Sequence, residues 1–241
     1  MKKIFFFLMI ASLTGLSKAD AQDWWKSKIR GEGPTVTQDL DLPAFEAVKL
    51  SMDADVYVRQ GSQQSVRIEA QQNMIDNIKK EVDGKTWRIS TDRWVTRHDP
   101  IKIYITIPRL TEASVSGSGN LMGETAFSGS DRFYTGVSGS GNVKLEVTCD
   151  ELEARVSGSG NVRLAGSTGS LMAKISGSGN IKAEDLMAKT CNVQVSGSGN
   201  SSVNVSDELD VKISGSGDVS YKGRPKVNSR ISGSGDLVSR N

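Results

Sequence analysis

LEARVSGSGNVRL, residues 152–164, decides how the chain folds. Every second residue is apolar or glycine: Leu152, Ala154, Val156, Gly158, Gly160, Val162 and Leu164. Between them stand Glu153, Arg155, Ser157, Ser159, Asn161 and Arg163. Strict two-residue alternation is the pattern of a strand with one buried and one solvated face. A Gly/Ser linker has no reason to hold its flanking aliphatics in one phase. The same parity recurs at Leu171, Ala173, Ile175, Gly177, Gly179 and Ile181, and again at Leu209, Val211, Ile213, Gly215, Gly217 and Val219. If the phase runs through the motif, both glycines face inward, where a side chain would obstruct a bend. Glycine also permits the dihedrals of a corner.

SGSG begins at Ser116, Ser138, Ser157, Ser176, Ser196, Ser214 and Ser232, so the intervals are 22, 19, 19, 20, 18 and 18 residues. A period near 20 predicts an all-β solenoid with about 18–22 residues per coil, in which each coil buries its face only against its neighbours. Coils stacked about 4.8 Å apart turn the outward positions of the motif into ladders. The first serines are Ser116, Ser138, Ser157, Ser176, Ser196 and Ser214; the second are Ser118, Ser140, Ser159, Ser178, Ser198 and Ser216. Beside them run Asn120, Asn142, Asn161, Asn180, Asn200 and Asp218. This Ser-Ser-Asn surface is the candidate contact ladder. Each coil also brings several aliphatic side chains, each worth about 1.5–3 kcal/mol on full burial.

The repeat places the two cysteines. Cys191 takes the inward position of Leu171 and Leu209, whereas Cys149 falls in a variable turn two coils earlier. Two steps of about 4.8 Å exceed the roughly 7 Å limit on Cα separation in a disulfide. Both are expected to be free thiols, with Cys191 packing as a small hydrophobe.

Upstream, VKLSMDADVYV at 48–58 is an eroded copy, with Ser51, Asp53 and Asp55 in the Ser-Ser-Asn places. Further strands are expected at 65–70, 86–91 and 101–107, a turn at Asp83-Gly84, and a helical turn within 72–80. Residues 1–21 read as an export signal: Lys2 and Lys3, a short apolar run, then Ala19-Asp20-Ala21. Residues 22–40 read as an extended leader, 41–115 as degenerate coils or a cap, and 116–241 as the regular coils of the same domain. No second apolar run reaches the ~20 residues of a membrane helix. The chain stops soon after its last repeat, which leaves no room for a translocator barrel.

The full chain carries 30 basic and 28 acidic residues; losing Lys2, Lys3, Lys18 and Asp20 with the signal leaves 27 of each. That balance, with no Lys/Arg cluster, argues against a nucleic-acid partner. The SGSGD copies have twice the period of calcium-binding β-rolls and mostly carry neutral Asn, so Asp53, Asp55, Asp218 and Asp236 are the only places to look for an ion. The motif lacks the lysine of a phosphate loop, and no serine sits in a GxSxG elbow. His98 is the only histidine. The acids Glu146, Asp150, Glu151, Glu153, Glu184 and Asp185 are scattered over turns and outward positions, as solvated surface charge is. Trp87, Trp94, Tyr104, Phe133 and Tyr134 read first as core or capping residues, with stacking on sugars as the competing use. No cofactor motif is present.

The export signal, the SMDADVYV coil, the VRIEA and DGKTWRI strands and the serial SGSGN/SGSGD copies resemble the "putative auto-transporter adhesin, head GIN domain" family of Bacteroidetes-type bacteria. The resemblance spans roughly residues 40–237. It implies a right-handed single-stranded parallel β-helix, a shape shared with pectin-degrading enzymes and phage tail spikes, and it supplies no catalytic or binding residues. The expectation is an exported, non-enzymatic solenoid, periplasmic, outer-membrane-associated or extracellular, that meets a glycan or surface protein. The alternatives are a polysaccharide lyase or hydrolase and a purely structural envelope or filament component.

Overall fold

The computed structural model describes residues 28–240, so the export-signal reading of 1–21 lies outside the described residues. The N-terminal part contains β1 (Lys28–Arg30), β2 (Thr35–Leu40), β3 (Ala47–Leu50), β4 (Asp55–Gln60) and β5 (Ser65–Gln71). A short helix, α1 (Gln72–Asn77), follows within the segment expected to turn helically. Next come β6 (Val82–Asp83), β7 (Thr86–Ile89), β8 (Trp94–Arg97) and β9 (Lys102–Ile107). The repeats form β10 (Glu112–Val115), β11 (Asn120–Phe127), β12 (Arg132–Gly139), β13 (Asn142–Gly158), β14 (Asn161–Gly177), β15 (Asn180–Gly197) and β16 (Ser201–Gly215). The last coil and a half hold β17 (Val219–Lys222), β18 (Lys226–Gly233) and β19 (Leu237–Ser239).

The strands curl into a β-solenoid of about seven turns. Equivalent residues of successive copies lie opposite one another in parallel ladders: Ser138 on Ser157, Asn142 on Asn161, Ser176 on Ser196 and Ser214 on Ser232. The alternation read from 152–164 is the alternation of burial. Leu152, Ala154, Val156, Val162 and Leu164 are buried while Glu153, Arg155, Ser157, Ser159 and Arg163 reach solvent. Inward columns such as Leu152–Leu171–Cys191–Leu209 and Val156–Ile175–Val195–Ile213 fill the interior. Thr135 sits fully buried in this core because its hydroxyl donates to Ala113 O at 2.9 Å.

The coil length varies without disturbing the motif. In the repeats, register shifts fall between Met122 and Ala126, Arg163 and Ala165, Ala183 and Met187, and Ala188 and Thr190, all after one motif and before the run of residues that enters the next. The eight residues entering it, such as 151–158 and 208–215, pair without interruption. Extra residues are therefore absorbed as bulges, which re-aim a strand locally and leave the rest of the ladder intact.

At the N-terminal end the order of coils departs from the order of the chain. The eroded copy stacks directly under the first SGSG coil, Val115 on Leu50 and Asn120 on Asp55. Beneath it lies a coil made by later residues, with β7 on β3 and β9 on β4. The chain thus lays down its second coil first, drops to build the end coil, and climbs back past Pro108 into the repeats. Antiparallel strands close that end: β5 on β9, β2 on β5 and β6 on β7. Of the extended leader expected over 22–40, Lys28–Arg30 and Thr35–Leu40 are strands, because β5 and β8 each offer them an unpaired edge. Trp87 is fully buried in the cap, its Nε1–H donating to Lys79 O at 3.1 Å and its ring 5.6 Å from that of Phe45.

Both cysteines are free and buried. Cys191 occupies the core column as expected. Cys149 does not lie in a variable turn: it is an inward residue of β13 opposite Thr168, since the strand runs on through the corner that the spacing left open.

Candidate functional site

The corner made by SGSG[ND] is held by backbone. The carbonyl of Gly139 accepts two hydrogen bonds from the next coil, from the N–H groups of Ser159 and Gly160, both at 2.9 Å. Gly117, Gly158 and Gly177 do the same for the coils that follow them. A carbonyl has two lone pairs, and this geometry uses both. The first glycine of each corner takes a left-handed φ, +143° at Gly158 and +147° at Gly177, where a side chain would be strained. The second glycine is excluded from carrying a side chain by its neighbour rather than by the bend alone. A Cβ on Gly160 would lie 2.1 Å from Gly141 O and 2.5 Å from Val137 Cγ1.

The corner sets out three outward columns, and they differ in what their side chains do. Asparagines bond to one another along the axis: Asn180 Nδ2 donates to Asn161 Oδ1 at 2.8 Å, Asn161 to Asn142 at 2.9 Å and Asn142 to Asn120 at 2.9 Å. The run ends where Asn120 Nδ2 donates to Asp55 Oδ1 at 2.8 Å, an acceptor-only group at the terminus of a chain of donors. Beyond Asn180 the pattern changes, and side-chain oxygens accept from backbone instead. Asn200 N–H donates to Asn180 Oδ1, Asp218 N–H to Asn200 Oδ1 and Asp236 N–H to Asp218 Oδ1, at 3.1, 2.8 and 2.9 Å. A carboxylate can accept but not donate, so Asp appears in the copies where only acceptance is required.

The serines behave differently. Ser116, Ser138, Ser157, Ser176, Ser196 and Ser214 are exposed and make no side-chain hydrogen bond among the described residues, and the same holds for Ser118, Ser140, Ser159, Ser178, Ser198 and Ser216. The first-serine column lines a shallow groove running along the axis. One stretch of about 460 Å³ is bordered by Ser116, Ser138 and Ser157, and a second of the same size by Ser157, Ser176, Ser196 and Ser214. The wall facing these serines comes from residues two positions earlier on each strand, including Arg155, Lys174, Gln194 and Lys212. Aligning the copies on their first serine puts these residues in one column, so the repeat itself carries a signal for that wall.

One column further out, a groove of about 630 Å³ is lined by Tyr134, Glu151, Glu153, Glu208 and Asp210, among others. Glu151 pairs with Arg132 at 2.9 Å, and Glu153 with Arg155 and, at 3.8 Å, with Lys174. Burial pushes the Tyr134 hydroxyl above the ordinary tyrosine range. The remaining candidates are dispersed. Trp87 and Phe133 are core, Trp94 is exposed, and Tyr104 stacks on Tyr57 at 5.2 Å. His98 contacts Asp99 O through Nδ1 at 2.7 Å in the loop after β8. Asp53 and Asp55 belong to the eroded coil, far along the stack from Asp218 and Asp236. Among the described residues no three His, Cys, Asp or Glu side chains are grouped to hold a metal ion, and no helix is long and apolar enough to cross a membrane.

A parallel solenoid capped at one end and built on repeated glycine corners defines the class. The chain belongs to the family described as "Putative auto-transporter adhesin, head GIN domain", which it matches over residues 44–225. It is similar to the crystal structure of a putative adhesin from Bacteroides fragilis NCTC 9343, with TM-score 0.81 and 25% identity over 88% of this chain and 100% of that one. A putative lipid binding protein from Parabacteroides distasonis ATCC 8503 gives TM-score 0.74 and 25% identity over 89% of this chain and 100% of that one. A putative adhesin from Parabacteroides merdae ATCC 43184, 20% identical with TM-score 0.75, covers 89% and 100% and shares the fold. No curated protein matches the sequence significantly.

Proposed function

We propose that this protein is an exported, non-enzymatic β-solenoid of the cell envelope or cell surface that contacts a glycan or surface protein along its first-serine column. One observation carries the reading: a row of exposed hydroxyls, free of internal hydrogen bonds, borders a groove that continues over several coils. The asparagine column spends its amides inside the ladder, so its part is to hold the row straight. Recognition then comes from many equivalent polar contacts rather than one pocket. Export rests on the N-terminal signal pattern, and the family's adhesin description is consistent with it.

The test is binding of the purified protein to an array of glycans and matrix proteins. The expected result is a ligand whose binding is lost when Ser157→Gln, Ser176→Gln and Ser196→Gln fill the groove without changing charge. Undiminished binding by that variant would move the contact surface elsewhere, and silence across the array would favour a purely structural role.

A second reading, a carbohydrate-cleaving enzyme, draws on the acidic groove at Glu151, Glu153, Glu208 and Asp210. Two of these carboxylates, Glu151 and Glu153, are engaged in ion pairs with Arg132 and Arg155, an arrangement that suits a surface more than a general acid. Sustained product release from a panel of uronate polymers, abolished by Glu153→Gln, would establish it.

A further inference from the structure

The wall opposite the free serines is a column of cations. In register from coil to coil stand Arg155, Lys174, Gln194, Lys212 and Arg230. Like charges directly opposite one another across strands are destabilising, and the fold makes no demand for charge at these outward positions. Lys212 and Arg230 are exposed and have no ion pair among the described residues. Arg155 and Lys174 share one carboxylate, Glu153, which lies on the side away from the serines. With two cations sharing one carboxylate and two unpaired, the column carries an excess of positive charge beside the groove.

We infer that the groove between the cation column and the first-serine column binds a linear acidic polysaccharide lying along the solenoid axis. This rests on the reading of that face as the contact surface, and it names the ligand class. The cations stand on four of these five coils, in two adjacent pairs separated by Gln194, and the coil rise of about 4.8 Å is close to the length of one sugar residue in an extended chain. A polymer with one carboxylate per residue can therefore meet each adjacent pair of cations in step, with the Gln194 amide as a neutral donor between the pairs. The serines supply hydroxyl donors and acceptors to the sugar hydroxyls on the opposite side. A nucleic acid is a poorer fit, because the groove between Arg155 and Ser214 has no aromatic side chain on which bases would stack.

The probe is polygalacturonate, with its fully methyl-esterified form and single-stranded DNA as comparisons, measured by calorimetry with the full-length protein. The expected result is binding to polygalacturonate that weakens as salt rises, with none to the ester. The Lys174→Gln/Lys212→Gln/Arg230→Gln variant should bind at least tenfold more weakly. Lys144→Gln/Lys182→Gln, on the face beyond the asparagines, should bind as the parent does. Equal binding to the ester, equal loss in the Lys144/Lys182 variant, or tighter binding to DNA would each overturn the inference. If a neutral glycan or a protein binds and the serine-to-glutamine variant blocks it, while polygalacturonate does not bind, the contact surface stands and the acidic ligand falls.

Discussion

Asn161 and Asn200 hold equivalent places in the motif and do different work. Asn161 both donates to Asn142 and accepts from Asn180, whereas Asn200 uses only its oxygen as an acceptor. Asn161→Asp puts an oxygen against Asn142 Oδ1 and should cost about 1–2 kcal/mol of unfolding free energy. Asn200→Asp reproduces what Asp218 already does and should stay within about 0.5 kcal/mol; urea unfolding of the two variants makes the comparison. Cys191 gives a second residue-scale prediction. Burial pushes its thiol up from 9.0 to about 12. The unfolded chain therefore releases this proton first, and between those values the folded state holds more protons. Its contribution to stability is complete below pH 9 and is lost as pH rises toward 12, at up to about 1.4 kcal/mol per pH unit. Cys191→Val should flatten that alkaline fall, and native protein should resist thiol reagents that label both cysteines once it is unfolded.

At the scale of the element, the corner is a unit that propagates itself. Each corner supplies the carbonyl that accepts two N–H groups from the next, and each requires that the next glycine lack a Cβ. Gly160→Ala forces a methyl against Gly141 O and should destabilise by about 1–3 kcal/mol. Ser159→Ala, one residue away, removes an unbonded exposed hydroxyl and should change little; thermal unfolding of both separates architecture from surface. The corner was legible in LEARVSGSGNVRL because period-two alternation is a local pattern, and so was the eroded copy at 51–55. The direct collision between successive glycines was not legible, because it depends on the spacing of coils. Nor did spacing reveal that the asparagine amides bond to one another, since that is decided by side-chain rotation.

At the scale of the whole molecule, the solenoid has one closed end and one plainer end. Antiparallel strands cover β7 and β9, whereas β18 and β19 pair along one edge among the described residues and leave Ile231 and Val238 exposed. The order of the N-terminal coils was hidden from sequence because β7 and β9 pair with strands more than thirty residues earlier, and no periodicity records such a return. The candidate face was half legible: its serines stand out in the motif, while the cations opposite emerge only when Arg155, Lys174, Lys212 and Arg230 are aligned by register. All of this depends on the SGSG[ND] copies being stacked corners rather than flexible links. Amide hydrogen exchange read by mass spectrometry across residues 137–200 tests that most directly. The account predicts that the Ser159, Gly160, Ser178 and Gly179 amides, each bonded to the preceding coil, exchange as slowly as the flanking strands, with protection falling toward β18 and β19. Exchange of the SGSGN segments at the rate of an unstructured Gly/Ser chain would contradict it.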